Sequence, residues 1–360
     1  FGAFLLIQLY FYLGGFLRLA LYKKPQNATA RPPVSVVICA RNEEENLREY
    51  LPLVLEQDYP NYEVIVVNDC SWDNSYDLLK SMALTYRHLK VADIKEVEGR
   101  EHGKKFAMTI GIKAAQHETL VLIDADCFPT SNEWISRIME AYTPEKEIVL
   151  GYGKYERKAG FLNQMIRFDT FFIAAQYLSM ALRGKAYMGV GRNLSYRKNL
   201  FFQVKGFASH IHLDSGDDDL FINEVATSSN TAIVIDKGSS TVSGPKTTWK
   251  TWFTQKKRHV STAKYYKPSH KSALALEPMS WYLMFFSAIA GFIFQYNVLI
   301  LISGLALRAL LQIAILHAIA RKLDDADLGW KAPFLEIIQR IFIYPTYFVS
   351  TFFVRKRKWR

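Results

Sequence analysis

Cysteine is scarce in this chain, and its placement argues against a covalent framework. The three residues, Cys39, Cys70 and Cys127, fall in or at the end of strand-like runs. An odd count in a reducing compartment excludes a disulfide scaffold, so they read as small buried side chains. No internal repeat and no low-complexity tract is present, which excludes a repeat architecture. The calcium-loop spacing of ligands with its distal glutamate is missing too. Charge is nearly absent from the first stretch, where Arg18 alone interrupts residues 1–22. That length is close to the roughly 20 residues that cross a bilayer, so residues 1–23 read as an N-terminal transmembrane helix. No small-residue cleavage site precedes Lys23 and Lys24, and an uncleaved anchor is expected rather than a removed signal peptide.

Beyond Met279 the chain turns apolar again over residues 281–294 and 297–320, with Gln295, Tyr296 and Asn297 at the break. Two helices joined by a tight polar turn fit this pattern, giving a transmembrane pair over residues 279–320. A third apolar segment, residues 333–354, carries Glu336, Gln339, Arg340 and Pro345. Charges at such depth are costly in lipid, so an interfacial or re-entrant placement is expected. The formal net charge is +11, gathered at Lys23-Lys24, Lys256-Lys257-Arg258, Arg321-Lys322 and the basic tail of residues 355–360. A nucleic-acid binder has a similar balance, but most of these clusters flank apolar spans, as cytoplasmic segments do. The expected setting is therefore the inner, cytoplasmic membrane, with the soluble part in the cytoplasm and no nucleic-acid partner.

The soluble part spans residues 32–268. A strand-like run at residues 34–39 is followed by a helix opening near Arg41, and a second strand at residues 62–67 ends on Asn68-Asp69. A helix over residues 75–87, a strand around Val91, a helix start at Gly103-Lys104-Lys105 and a strand ending on Asp124 complete the pattern. Strands alternating with helices imply βαβ units and a mostly parallel α/β sheet with helices on both faces. In such a sheet the C-terminal strand ends line one crevice, which would bring together Asp69, Asp73, Asp124 and Asp126.

Asp124 and Asp126, one residue apart at a strand end, suit a Mg²⁺ or Mn²⁺ ion that keeps part of its shell for substrate phosphates; the plain alternative is a pair of solvated acids. Asp69 and Asp73 are placed to accept hydrogen bonds from a nucleobase or ribose, with an Asx-turn and helix cap as the rival reading, strongest for Asp73. Lys104 and Lys105 at a helix start would pair with diphosphate oxygens or form a solvated face. Asp214-Ser215-Gly216-Asp217-Asp218-Asp219 crowds carboxylates enough to raise at least one pKa, which suits a general base; an acidic helix N-terminus is the alternative. The stretch from Trp249 to His259 mixes aromatic and basic residues and would either ride on lipid headgroups or clamp a pyrophosphate leaving group.

Taken in order, Pro33-Val34-Ser35-Val36-Val37-Ile38-Cys39-Ala40-Arg41-Asn42-Glu43, Val66-Val67-Asn68-Asp69-Cys70-Ser71-Trp72-Asp73, Asp124-Ala125-Asp126, Gly216-Asp217-Asp218-Asp219-Leu220 and Gln255-Lys256-Lys257-Arg258 resemble family 2 glycosyltransferases of the GT-A fold. Their order and spacing resemble the membrane-anchored branch that includes cellulose- and hyaluronan-synthase-like enzymes. The resemblance implies a Rossmann-like GT-A domain over residues 32–268, flanked by the transmembrane helices. It implies that Asp69 holds the nucleoside with Ala40, Arg41 and Asn42 beside it, and that Asp124 and Asp126 hold the metal and the donor phosphates. Asp217 would be the base, with Asp218 close enough to compete. Gln255 and Arg258 match a Gln-x-x-Arg-Trp motif on the donor side, in which His259 replaces the tryptophan. Residues 189–197, with Gly191, Arg192 and Asn193, would form the acceptor side together with His259. The activity implied is inverting transfer from a nucleotide-diphosphate sugar, expected to be a UDP-sugar, to a lipid-linked or glycan acceptor. A processive polysaccharide synthase and a non-catalytic, membrane-tethered nucleotide- or carbohydrate-binding protein are the competing readings.

Overall fold

A run such as Val34-Ser35-Val36-Val37-Ile38-Cys39-Ala40, apolar at almost every position, is stable as a strand only where both faces of its sheet are covered. The computed structural model, which describes residues 1–24, 31–96, 103–213 and 215–346, makes this run the first strand of a sheet. The chain forms two compact units. A sheet unit comprises Lys24–Glu156 and Ala186–Pro245, and a helical unit comprises Phe1–Lys23, Arg157–Lys185 and Lys246–Arg360.

The strands of the sheet unit are β1 (Val34–Ala40), β2 (Tyr62–Asp69), β3 (Leu89–Ile94), β4 (Thr119–Leu122), β5 (Cys127–Pro129), β6 (Ile148–Leu150), β7 (Gly153–Tyr155), β8 (Leu194–Arg197), β9 (Thr231–Ile233) and β10 (Thr241–Ser243). Seven of them form the main sheet in the order β3-β2-β1-β4-β8-β6-β9, and β5-β10-β7 form a smaller one. β1, β2, β3 and β4 are mutually parallel, whereas β8 runs antiparallel between β4 and β6. The register runs from Val34 opposite Tyr62 to Ala40 opposite Asn68, and Val37 lies opposite Leu122. The C-terminal ends of β1, β2 and β4 therefore lie side by side.

Alternation of side chains across the pleat divides the core between two faces. Val34, Val36 and Ile38 of β1 and Val64 and Val66 of β2 pack with Leu47, Leu51 and Val54 of helix Glu44–Leu55, Leu79 of helix Ser75–Thr85 and Trp134 of helix Trp134–Met139. Val37 and Val67 face helix Lys104–Ala114 instead. A Cβ at Gly111 of that helix would fall 2.5 Å from Val37 Cγ1 and 3.0 Å from Val67 Cγ2, so glycine sets how closely helix and sheet approach.

Among the described residues, the helical unit contains three helices long and apolar enough to cross a membrane: Gly2–Leu21, Pro268–Ile293 and Val298–Lys322. The first passes through a π-helical turn at Tyr12–Phe16, where Gly14 and Gly15 lie, a usual cause of local irregularity. The break between the other two falls where the polar turn is expected: Gln295 has φ 52° and the Asn297 side chain accepts a hydrogen bond from Ile300 N. Helix Phe161–Leu182 also belongs here, although residues 32–268 read as one stretch in the sequence. Its Met165, Ile166, Phe168, Phe171, Phe172, Ala175 and Leu178 are all buried, and Phe172 packs against Phe16 at a ring-centroid distance of 5.8 Å.

The charged residues of the third apolar stretch are buried within this unit. Arg340 donates to Glu277 (2.6 and 2.8 Å) and to Glu336 (2.9 Å), and Arg308 donates to Glu336 (2.8 and 3.0 Å). Gln8, Gln312 and Trp281 complete the network: Gln8 accepts from Arg308, and both Gln312 and Trp281 donate to Glu336. Gln339 donates to Asp169 at 2.6 Å. Charge in this stretch thus meets protein partners, which removes the cost that lipid would impose. The stretch is helical over Ala332–Ile338 and π-helical over Gln339–Ile343; residues 347–360, including the basic tail, lie outside the described residues. Because Glu336 is fully buried and serves two guanidinium groups, Glu336→Leu should cost about 3–5 kcal/mol by leaving Arg308 without a carboxylate partner and Arg340 with Glu277 alone. A fall in the thermal midpoint of the detergent-solubilised protein checks this, and an unchanged midpoint contradicts it.

Candidate active site

Loops leave β1, β2 and β4 at neighbouring strand ends, and the strand order reverses at β1, with β2 on one side and β4 on the other. Such a reversal opens a crevice outside the carboxyl ends of the strands. The loop after β1 holds Asn42 at φ 55° and the loop after β2 holds Cys70 at φ 54°, left-handed conformations that non-glycine residues keep only when neighbours enforce them. The enforcement is visible. Asn42 N donates to Ser71 Oγ (2.9 Å), Trp72 N donates to Asn42 Oδ1 (2.9 Å) and Glu43 N donates to Ser75 Oγ (3.1 Å). The Arg41 guanidinium lies 5.8 Å from the centroid of the exposed Trp72 ring.

Asp69, the last residue of β2, is buried, and among the described residues its Oδ1 has no hydrogen-bond partner. Leaving such an oxygen unpaired costs about 1–3 kcal/mol or more, so the position favours an incoming N–H or O–H group. Asp73 differs from its donor-binding expectation. Its Oδ1 accepts from Ser75 N (3.0 Å) and its Oδ2 from Glu44 N (3.1 Å), which makes it the turn residue of the rival reading. Burial pushes its carboxyl up, but these hydrogen bonds outweigh that and hold it below the usual carboxylate range.

β4 gives out at Leu122, and residues 123–126 lead straight into β5. Asp124, Asp126 and Cys127 each offer a ligand atom within 4.8 Å of the others. Asp126 is exposed, Asp124 half-buried and Cys127 buried, its Sγ lying 3.3 Å from Asp126 Oδ1 and 3.2 Å from Ser243 Oγ. Two carboxylates around a space of that size fit a hard divalent ion that keeps coordination positions open. Cys127 was legible only as a small buried side chain, and its place beside the acids follows from the pairing of β5 with β10.

The two adjacent lysines divide. Lys104 Nζ lies 2.8 Å from Asp124 Oδ1 and 3.1 Å from Asp217 Oδ2, bridging two acids distant in sequence. Burial works to lower its pKa, but Asp124, Asp217 and Asp218 outweigh it and hold the ammonium well above its ordinary value. Lys105, expected as a second phosphate ligand, points elsewhere: its Nζ donates to the carbonyls of His210 (2.6 Å), Leu213 (2.9 Å) and Ser215 (2.8 Å). Those bonds pin the loop that carries Asp217, so Lys105 supports the site from behind. Asp214 lies outside the described residues.

The crowded acids that follow also separate into roles. Gly216 takes φ 105°, and a Cβ there would sit 2.6 Å from Leu220 Cδ1, so only glycine serves at this turn. Asp218 caps helix Asp219–Val225, accepting from Asp219 N (2.7 Å) with one oxygen and from Gly191 N (2.7 Å) with the other. Burial, then the charges of Asp217 and Asp219, push Asp218 up to about 7. Asp217 is buried too, yet Lys104 overrides that burial and holds it below the usual range. The helix-terminus reading therefore describes Asp218, while Asp217 faces the lysine.

Gly191 lies at the same place: a Cβ there would be 3.5 Å from both Lys104 Nζ and Asp218 Oδ2. Arg192 stacks over Tyr155 at 4.6 Å and reaches Ser243 Oγ at 3.4 Å. Asn193 departs from its acceptor-side expectation. It is buried, its Oδ1 accepts from Trp134 Nε1 (3.2 Å), and its Nδ2 donates to the carbonyls of Tyr152 (2.9 Å) and Ser239 (2.8 Å), so its amide holds the core together. Ala40 is buried at the end of β1. Gln255, Arg258 and His259 lie on helix Trp249–Val260 of the helical unit, with Arg258 and His259 exposed and Trp252 and Lys256 buried.

The convergence registers on Cys39, near the end of β1. Burial pushes its thiol up, and Asp217, Asp124 and Asp69 add to the effect while Lys104 opposes it. One side chain thus feels acids from three separate segments of the chain.

The family model described as glycosyl transferase family 2 matches residues 35–204. Glycosyltransferase AglE of Haloferax volcanii is 32% identical over 108 residues, 29% of this chain and 34% of that protein. Poly-beta-1,6-N-acetyl-D-glucosamine synthase of Staphylococcus aureus is 32% identical over 121 residues, 33% of this chain and 28% of that protein. The chain thus spans about a third of the length of the curated relatives it matches. Among solved structures, a mannosyltransferase from Pyrobaculum calidifontis in complex with GDP-Man and Mn²⁺ shares the fold with a TM-score of 0.58 at 18% identity, covering 95% of this chain and 96% of that one. Residues 35–204 thus match the glycosyl transferase family 2 model, and the chain shares the GT-A fold of that mannosyltransferase.

Proposed function

We propose that the protein is an inverting, metal-dependent glycosyltransferase that moves a sugar from a nucleotide-diphosphate donor to a hydroxyl of a membrane-associated acceptor. The observation that carries this reading is Lys104 held between Asp124 and Asp217, which joins the acids suited to a metal and the acid suited to a base in one cluster. Asp69, with its unpaired buried oxygen, takes the nucleoside, flanked by Ala40, Arg41 and Asn42. Asp124 and Asp126 hold Mg²⁺ or Mn²⁺, which supplies positive charge to the departing diphosphate. Lys104 reaches the same phosphates. Gly191 and Arg192 line the acceptor side.

Asp217 is the base in this reading. In the free protein Lys104 keeps it ionised, whereas Asp218 has both oxygens engaged by main-chain N–H groups and holds its proton up to about 7. Two adjacent carboxylates resist sharing two negative charges, so the second ionises only as pH rises through about 7. As Asp217 accepts the acceptor's proton, the repulsion that kept Asp218 neutral is relieved.

Three helices fit to span a membrane support an acceptor that is lipid-linked or otherwise membrane-associated, with the sheet unit in the cytoplasm and the helices in the inner membrane. Single transfer is favoured over processive synthesis, because buried charges of the helical unit pair with one another: Arg308 with Glu336 and Arg340 with Glu277. A UDP-sugar is the expected donor. Donors of N-acetylglucosamine and of mannose are the two to test first, since the synthase and the mannosyltransferase above carry those sugars in their names.

A panel of nucleotide sugars, scored for divalent-ion-dependent hydrolysis and transfer by the detergent-solubilised protein, tests the reading. Asp217→Asn should lower kcat by about 10²–10⁴-fold, the usual worth of a general base, with the fold intact by circular dichroism. Asp126→Ala should abolish the metal dependence together with the activity. Full turnover in either variant removes that assignment.

Asp218 makes a separate prediction through pH. A carboxyl whose folded pKa is raised binds its proton more tightly in the folded state, so the stability it contributes is complete below the ordinary carboxylate range and is lost as pH rises through about 7. Removing that ionisation in Asp218→Asn should therefore raise the thermal midpoint relative to the parent more at pH 8 than at pH 5. The lost main-chain hydrogen bond is common to both pH values, so an equal difference at the two contradicts the assignment.

A further inference from the structure

The ammonium of Lys104 stands where a divalent ion held by Asp124 and Asp126 would have to be accommodated. Its Nζ is 2.8 Å from Asp124 Oδ1, and Asp124, Asp126 and Cys127 present ligand atoms within 4.8 Å of one another. An ion bound there brings two positive charges beside a third, and like charges at such range repel. The second contact of Lys104, 3.1 Å to Asp217 Oδ2, ties the same charge to the proposed base. Lys104 nevertheless keeps 35% of its side-chain exposure, against 10% for Asp217, so the lysine is the member of the bridge that an incoming anion can reach.

We propose that Lys104 is a built-in competitor for the metal site, which keeps the free protein's affinity for divalent ions low until a nucleotide diphosphate draws the ammonium away from Asp124. The inference rests on the metal role of Asp124 and Asp126 argued above and adds a coupling to it. The diphosphate offers Lys104 new oxygen partners, the freed Asp124 oxygen goes to the ion, and Asp217 is released from its ion pair in the same event. Metal and nucleotide then strengthen each other's binding by one and the same factor, as linkage requires. Without a donor, Lys104 offsets part of the charge of both acids; with one, its charge stands on the leaving group.

Mn²⁺ binding in the absence of any sugar donor tests this. Calorimetry or paramagnetic titration of the full chain in detergent gives the Mn²⁺ Kd with and without UDP, repeated with GDP. In Lys104→Met, which keeps the length of the side chain and removes its charge, the Kd without nucleotide should tighten about tenfold or more, and the further tightening caused by nucleotide should shrink. Lys104→Gln should behave alike, which guards against an effect of methionine itself. A Kd without nucleotide that is unchanged or weaker in both variants overturns the inference while leaving the metal site standing. The site is checked independently by Asp126→Ala, in which Mn²⁺ binding should be lost; binding that survives there overturns both readings.

Discussion

The constraint on which the site depends is the burial of a parallel sheet on both faces. Once helices cover β1 and β2 on either side, polar groups can enter only at the strand ends, and the sequence places them there: Asp69 ends β2, and Asp124 follows β4. Because β1 has β2 on one side and β4 on the other, those ends flank a single crevice. Gly111, which lets helix Lys104–Ala114 approach Val37 and Val67, contributes to the same result, since the N-terminus of that helix presents Lys104. The position of one ammonium group is thus fixed by helix–sheet packing seven residues further along.

Charge compensation organises both units, in different ways. In the helical unit each buried guanidinium meets carboxylates at close range, as Arg340 does with Glu277 and Glu336. In the sheet unit Lys104 is set against Asp124, Asp217 and Asp218 together, so the acids outnumber the cation beside them. A buried polar network that is satisfied favours rigidity and a unique arrangement. A cluster with excess negative charge favours cations and proton exchange. The first arrangement belongs to a scaffold and the second to a site.

Much of this was legible in the residue order. Apolar runs that stop on Asp69 and Asp124 announce strands and the chemistry at their ends together, and the break at Gln295-Tyr296-Asn297 announces two helices. What escaped were properties that depend on partners from elsewhere in the chain. Lys104 and Lys105 are chemically equivalent neighbours, and only the helix direction sends one to carboxylates and the other to the carbonyls of His210, Leu213 and Ser215. Asn193 sits in a stretch that resembles an acceptor loop, yet its neighbours in space, Trp134, Tyr152 and Ser239, come from three other segments. Residues 157–185 fall inside the 32–268 stretch of the sequence, yet Arg167 pairs with Asp325 and Asp327, and Asp169 with Lys256, all within the helical unit.

The acidic cluster shows why local pattern alone left the base undecided. Asp217, Asp218 and Asp219 are identical in chemistry and adjacent in sequence, so composition cannot rank them. The backbone does. Once Gly216 turns the chain and helix Asp219–Val225 begins, Asp218 is at the cap, where main-chain N–H groups claim both its oxygens. Asp217, one residue earlier, is left to face Lys104. The helix start and the catalytic reading are therefore two consequences of one turn, and the division of labour between neighbouring carboxylates follows from where that turn ends.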